Sequence, residues 1–370
     1  MAGEFDMTET EWLKAKNPDA MLRMVGPRFS ARQWQLVACA LVRRVWDLLP
    51  PGPSRDLVAW VERNGGEAMP AIASHWVADL ETAADHATTA ARAAERLVVL
   101  ATDPDADPES FRAMDARRTN PTAPLYQASC RYAQTAIRLA GESAFQAAEV
   151  VALLATIRPG PLLVELTREQ VRRGLLLRAD ASSHTSSALK LKAIGDEMAD
   201  RANGRKVGQN FATASEYVRR EDEFLGYRHS SLMTSKEKVV RKALGKILHD
   251  LAGNPFQTAR FEPAWRSDSV VGLARGIDED YAYDRLPILA DALLEADCDE
   301  EAILRHCRGS ESHTADPLHL RGCWVIDRIL DREPEFFSGL PIIAASQAPQ
   351  RRRSPRRNSV LRLDPVTVGR

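Results

Sequence analysis

Residues 30–49 read SARQWQLVACALVRRVWDLL. Ser30 and Gln33 have the spacing of a capping box, in which each side chain satisfies a free backbone N–H at a helix start. Trp34, Val37, Leu41, Val45 and Leu48 then recur every three or four residues, so they fall on one stripe of a helix. Pro50, Pro51 and Pro53 end it, because proline has no N–H to donate and cannot continue the ladder. Upstream, Asn17-Pro18 starts a shorter helix in the same way, with a cap residue followed by proline at the first helical position. This period of 3.6 recurs along most of the chain. Alternation of period 2, the mark of a strand, is confined to a short stretch near Leu162–Leu166.

The same reading places helices at about 54–63, 126–157, 187–201 and 286–296, and one or two between Met69 and Thr102. The segment 235–256, SKEKVVRKALGKILHDLAGNPF, carries Val239, Val240, Leu244, Ile247, Leu248 and Leu251 on one side. The polar run SSHTSS at 182–187 reads as an interruption between two helices. The fold expected is all-α, a multi-helix bundle or an irregular α-solenoid. Its organisation is a helical domain at 7–160, a helical spacer at 161–234, a helical domain at 235–333 and a disordered Arg-rich tail at 338–370.

Composition narrows the function classes. The chain has 370 residues, 44% hydrophobic and 27% charged, and 50 Lys+Arg against 51 Asp+Glu give a net charge of −1. A basic nucleic-acid binder is not expected, apart from weak contact through Arg351–Arg357. Five cysteines with no CxxC pair fit a reducing cytoplasm better than a disulfide scaffold. No apolar run reaches the roughly 20 residues that span a bilayer. The motifs GxSxG, HExxH and GxGxxG are absent. Trp34, Trp46 and Trp60 are expected to anchor helix packing.

One region could carry chemistry. Residues 298–327, CDEEAILRHCRGSESHTADPLHLRGCWVID, hold three of the five cysteines and three of the eight histidines. Asp316-Pro317 reads as the cap of a helix that would put His319, Cys323 and Asp327 on one face at i, i+4 and i+8. His306 and Cys307 close the preceding helix, and His313 lies between. Thiolates and imidazoles that converge suit zinc, so His306, Cys307, His319 and Cys323 are the candidate ligands. A Cys–His nucleophile pair on Cys323 is a second reading, and plain burial of small cysteines is the simplest. The acidic run IDEDYAYD (277–284) reads as a solvated cap ahead of a helix. With the face around Arg321 and Trp324, its residues Asp278, Glu279 and Asp280 form a candidate contact surface for an unidentified protein partner.

Several stretches together resemble a bacterial family of helical proteins expanded in planctomycetes. They are MTETEWLKAKNPDAML, RQWQLVACALVRRVWDLL, and YDRLPILADALLEADCDEEAILRHCRG with HLRGCWVIDRIL. The likeness covers roughly the first 60 residues and about 235–331; the tail after about Pro334 departs from it. It implies that 235–331 is a unit, and it implies no activity, cofactor or catalytic residue. The function expected is therefore a non-catalytic interaction or scaffold module, with a zinc-binding or thiol-dependent enzyme centred on 298–327 as the alternative.

Overall fold

The structure, a computed structural model, describes residues 7–49, 52–65, 123–202, 208–257, 259–309 and 319–332. The expected helices between 69 and 102, the Asp316-Pro317 cap, His313 and the tail at 338–370 lie outside the described residues. The fold is all-α, and no strand occurs among the described residues. Two short helices come first, α1 (Glu9–Leu13) and α2 (Pro18–Val25), capped by Thr8 and Asn17. Then α3 (Ala31–Val42) starts at the capping box of Ser30 and Gln33 and tightens into a 3₁₀ turn over Arg43–Leu48. The next is α4 (Pro53–Asn64).

Three long helices follow: α5 (Ala123–Thr156), α6 (Pro161–Ala202) and α7 (Gly208–Ala252). Four short ones complete the described residues: α8 (Asp268–Asp280), α9 (Leu286–Glu295), α10 (Glu301–Cys307) and α11 (Trp324–Ile329). The linker expected at 182–187 is absent, because α6 runs straight through it. Ser183 and Thr185 donate their hydroxyls to the carbonyls of Ala179 and Ala181, which lets polar residues stay inside the helix. Ser187 reaches across to Glu221 of α7 at 2.6 Å. α7 likewise passes without a break through residue 235.

α3 is the centre of the main core. Ten of its twelve residues, Gln33 to Val42, are buried, so its stripe is covered nearly all round. Around Leu36, Val37 and Leu41 pack Leu57 and Val61 of α4, Val151 of α5, Val164 of α6 and Ile247 of α7. A second core holds the last four helices together through Trp265, Leu289, Ile303, Cys307, Trp324 and Ile326.

Charges join the two cores. Arg32 of α3 grips Asp327 of α11 with both terminal nitrogens, at 2.6 and 3.2 Å. Arg332 bonds Asp278 at 2.7 Å and lies 3.5 Å from Asp327. Trp12 Nε1 donates to the Gly253 carbonyl at 3.1 Å, and His249 Nε2 bonds the Trp12 carbonyl at 2.6 Å, so α1 is clasped to the end of α7.

Among the described residues no helix is long and apolar enough to cross a membrane.

Candidate metal centre

Asp250 lies in the last turn of α7, on the face that carries Ile247 and Leu251 inward, and is 2% exposed. The helix ends at Gly253, whose φ of +62 puts it in the left-handed conformation that glycine adopts without strain. His306 comes from the last turn of α10. His319 and Cys323 come from the segment leading into α11, whose N-cap is Cys323. That segment is pinned by Gly322, at φ +93, where a Cβ would sit 2.6 Å from Leu251 Cδ2 and from Leu36 Cδ1. Only glycine fits between those two leucines.

Four donor atoms, one each from Asp250, His306, His319 and Cys323, lie within 4.8 Å of one another. His306 Nε2 is 3.1 Å from Cys323 Sγ and 3.3 Å from Asp250 Oδ1. His319 Nδ1 is 2.7 Å from Asp250 Oδ1, and the Leu320 N–H donates to Asp250 Oδ2 at 2.9 Å. Burial opposes ionisation of Asp250, yet its bonds to His306 and His319 outweigh that and hold its carboxyl at about 2. Burial likewise works against a charged His319, but the bond to Asp250 and its negative charge lift the imidazole to about 9. Trp324 Nε1 donates to His306 Nδ1 at 3.1 Å, so in this arrangement the proton of a neutral His306 sits on Nε2.

The structure brings together three of the four expected ligands, His306, His319 and Cys323. It replaces the fourth. Cys307 points into the second core, where burial pushes its thiol up to about 12, and Asp250 takes its place. The expected helical face is also corrected. α11 begins at Trp324, so His319 and Cys323 lie before it, and Asp327 turns to Arg32 instead of joining the cluster. Asp250 had one visible signal in the sequence, an acidic residue inside the apolar stripe of α7.

The expected contact surface is corrected too. Residues 277–280 form the last turn of α8, and only the end of the run, Tyr283 and Asp284, falls in the 3₁₀ turn that leads into α9. Asp278, Arg321 and Trp324 are buried at 2%, 5% and 4% exposure, and only Glu279 and Asp280 face solvent. Asp278 is covered because Arg321 and Arg332 neutralise it.

Another cleft, of about 1010 Å³, lies between α2, α6 and α7, where Arg168 is paired with Asp19 and Glu237. Comparison with known proteins gives no match: no family model, no curated protein and no solved structure aligns with the chain.

Proposed function

We propose that the protein is a non-catalytic helical scaffold whose C-terminal unit is fastened to the main core by a zinc ion. The ligands would be Asp250, His306, His319 and Cys323. The observation that carries this reading is the convergence of a thiol, two imidazoles and a carboxylate from three separate chain segments into one buried cluster. A sulfur and two nitrogens favour zinc over calcium or magnesium, which prefer all-oxygen sets. Tetrahedral zinc bonds of about 2.0–2.3 Å put neighbouring donors roughly 3.3–3.7 Å apart. The His306–Asp250 separation of 3.3 Å matches that and His306–Cys323 at 3.1 Å is slightly shorter, while His319–Asp250 at 2.7 Å is a hydrogen-bond distance that would open on binding zinc.

Four protein ligands close the coordination sphere, which suits a structural site better than a catalytic one. Cys323 is 0% exposed, so the thiol-enzyme alternative lacks a route from substrate to sulfur. All five cysteines are buried and none is in a disulfide, which favours a reducing compartment such as the cytoplasm.

A second reading is a metal-free knot of hydrogen bonds among the same four groups. The Trp324 bond to His306 Nδ1 favours it, since a ligating histidine more often donates from its second nitrogen. Metal analysis of the purified full chain separates the two. About one equivalent of zinc, lost in Cys323→Ala and His319→Ala, supports the zinc reading. A stably folded protein with no zinc, whose melting a chelator leaves unchanged, leaves the knot.

A further inference from the structure

The Trp324 indole joins the four-group cluster to the second core. It is 4% exposed, and its Nε1–H donates to His306 Nδ1 at 3.1 Å. The two rings stand 5.2 Å apart, inclined at 62°. The turn that ends α7 presses on the same indole: a Cβ at Gly253 would meet Trp324 Cδ2 and Cε2 at 3.2 Å. The ring is boxed in, and its N–H has His306 for an acceptor in place of water.

This bond sets a condition on the cluster. An indole nitrogen only donates, and a neutral imidazole carries one N–H and one lone pair. While Nδ1 accepts from Trp324, the proton of His306 sits on Nε2. That nitrogen faces the cluster, 3.1 Å from Cys323 Sγ and 3.3 Å from Asp250 Oδ1. A metal ion held by the four groups needs the Nε2 lone pair, which moves the proton to Nδ1. Two N–H groups would then face each other across the 3.1 Å that now separates Trp324 Nε1 from His306 Nδ1. Neither can accept, so the contact must open.

We propose that Trp324 is a positioning residue that opposes metal uptake: zinc fills the cluster only as the Trp324–His306 bond breaks. This rests on the zinc reading above. The zinc-bound centre and the metal-free knot are then two states of one site, and the zinc level chooses between them. Giving up a buried hydrogen bond and leaving its donor unpaired lowers zinc affinity by roughly tenfold to a hundredfold.

Zinc alone is the probe, added to the purified full chain after it has been stripped with a chelator. Competition with a coloured chelator gives the zinc affinity of the parent and of Trp324→Phe, which keeps an aromatic ring and removes the N–H. Trp324→Phe, with its helical circular-dichroism signal unchanged, should bind zinc about tenfold or more tightly than the parent. A lost packing contact alone would not raise affinity. The second readout needs no variant. With the indole nitrogens labelled with nitrogen-15, the Trp324 N–H proton signal of the parent, assigned through its contact with the His306 ring, should move upfield as zinc is added. Equal or weaker zinc binding by a folded Trp324→Phe, or a Trp324 signal that bound zinc leaves unmoved, overturns the proposal and leaves the zinc reading in place. Zinc uptake by neither protein overturns both.

Discussion

Replacing Gly322 with alanine should destabilise the protein by about 2–6 kcal/mol, from two sources. The φ of +93 is outside the range that an L side chain adopts freely, which costs about 1–3 kcal/mol. The new methyl would also meet Leu36 Cδ1 and Leu251 Cδ2 at 2.6 Å, about 1 Å inside ordinary carbon–carbon contact. Both leucines are 1% exposed, so neither can swing into solvent, and overpacking of this kind costs about 1–3 kcal/mol. Urea unfolding followed by circular dichroism measures the loss as a lower midpoint with an unchanged slope. The steric part can be isolated with Leu36→Ala, which removes one of the two clashing groups. In a double-mutant cycle the two changes should couple by about 1 kcal/mol or more, the pair being less damaging than the sum. A Gly322→Ala protein within about 0.5 kcal/mol of the parent, or a cycle that closes with no coupling, refutes the reasoning. The consequence reaches the metal centre, since Gly322 separates Arg321 from Cys323 and sets where the thiol and His319 lie.

Four other outcomes are expected. In chelated protein, His319 raised to about 9 contributes stability that is complete below its unfolded value near 6.5 and lost as pH rises through about 9; Asp250 lowered to about 2 contributes stability present above about 4 and lost as pH falls through about 2. The histidine limb amounts to about 3 kcal/mol and the aspartate limb to about 2–3, both largely from the one Asp250–His319 interaction, and thermal melts across pH will show them. Zinc-loaded protein should show no fall between pH 6.5 and 9, because a ligating imidazole is already neutral. Asp250→Ala should cost about 3–5 kcal/mol in chemical denaturation, as it leaves two buried histidines without their shared acceptor. Arg32→Ala should cost about 2–3 kcal/mol by leaving buried Asp327 with only Arg332, at 3.5 Å, to pair with. His184→Pro should cost about 3 kcal/mol or more and lower the helical signal if α6 is continuous; a linker at 182–187 would tolerate it.

What the sequence made legible was local. Ser30 with Gln33, and Asn17 with Pro18, mark their helix starts because a cap and its partner lie within three residues of each other. The stripe from Trp34 to Leu48 predicts a core helix, although its last turn tightens to a 3₁₀ form. The failures share a physical cause, the partner being far away in the chain. SSHTSS looks like a linker until Glu221 of α7 is seen to accept from Ser187. The acidic run looks solvated until Arg321 and Arg332 are placed beside Asp278. The Cys/His cluster was visible as composition, but its fourth member could not be chosen. Cys307 was nearer in sequence, and Asp250 lies 56 residues before His306. The sequence did hold a hint there, a lone acid on an apolar face, which folding tolerates only when something pairs with it.

The clasp between α1 and α7, and the bond from Arg32 to Asp327, join residues 241 and 295 positions apart. A ribosome adding about 5–20 residues per second needs roughly 15–60 s to travel from Arg32 to Asp327. For that time Leu36 and its neighbours have been synthesised, but the segment that lies against Leu36 has not. The nascent chain therefore carries an oily, half-built nucleus through most of translation, and it should be a client of the chaperones that shield such surfaces until the last helix emerges.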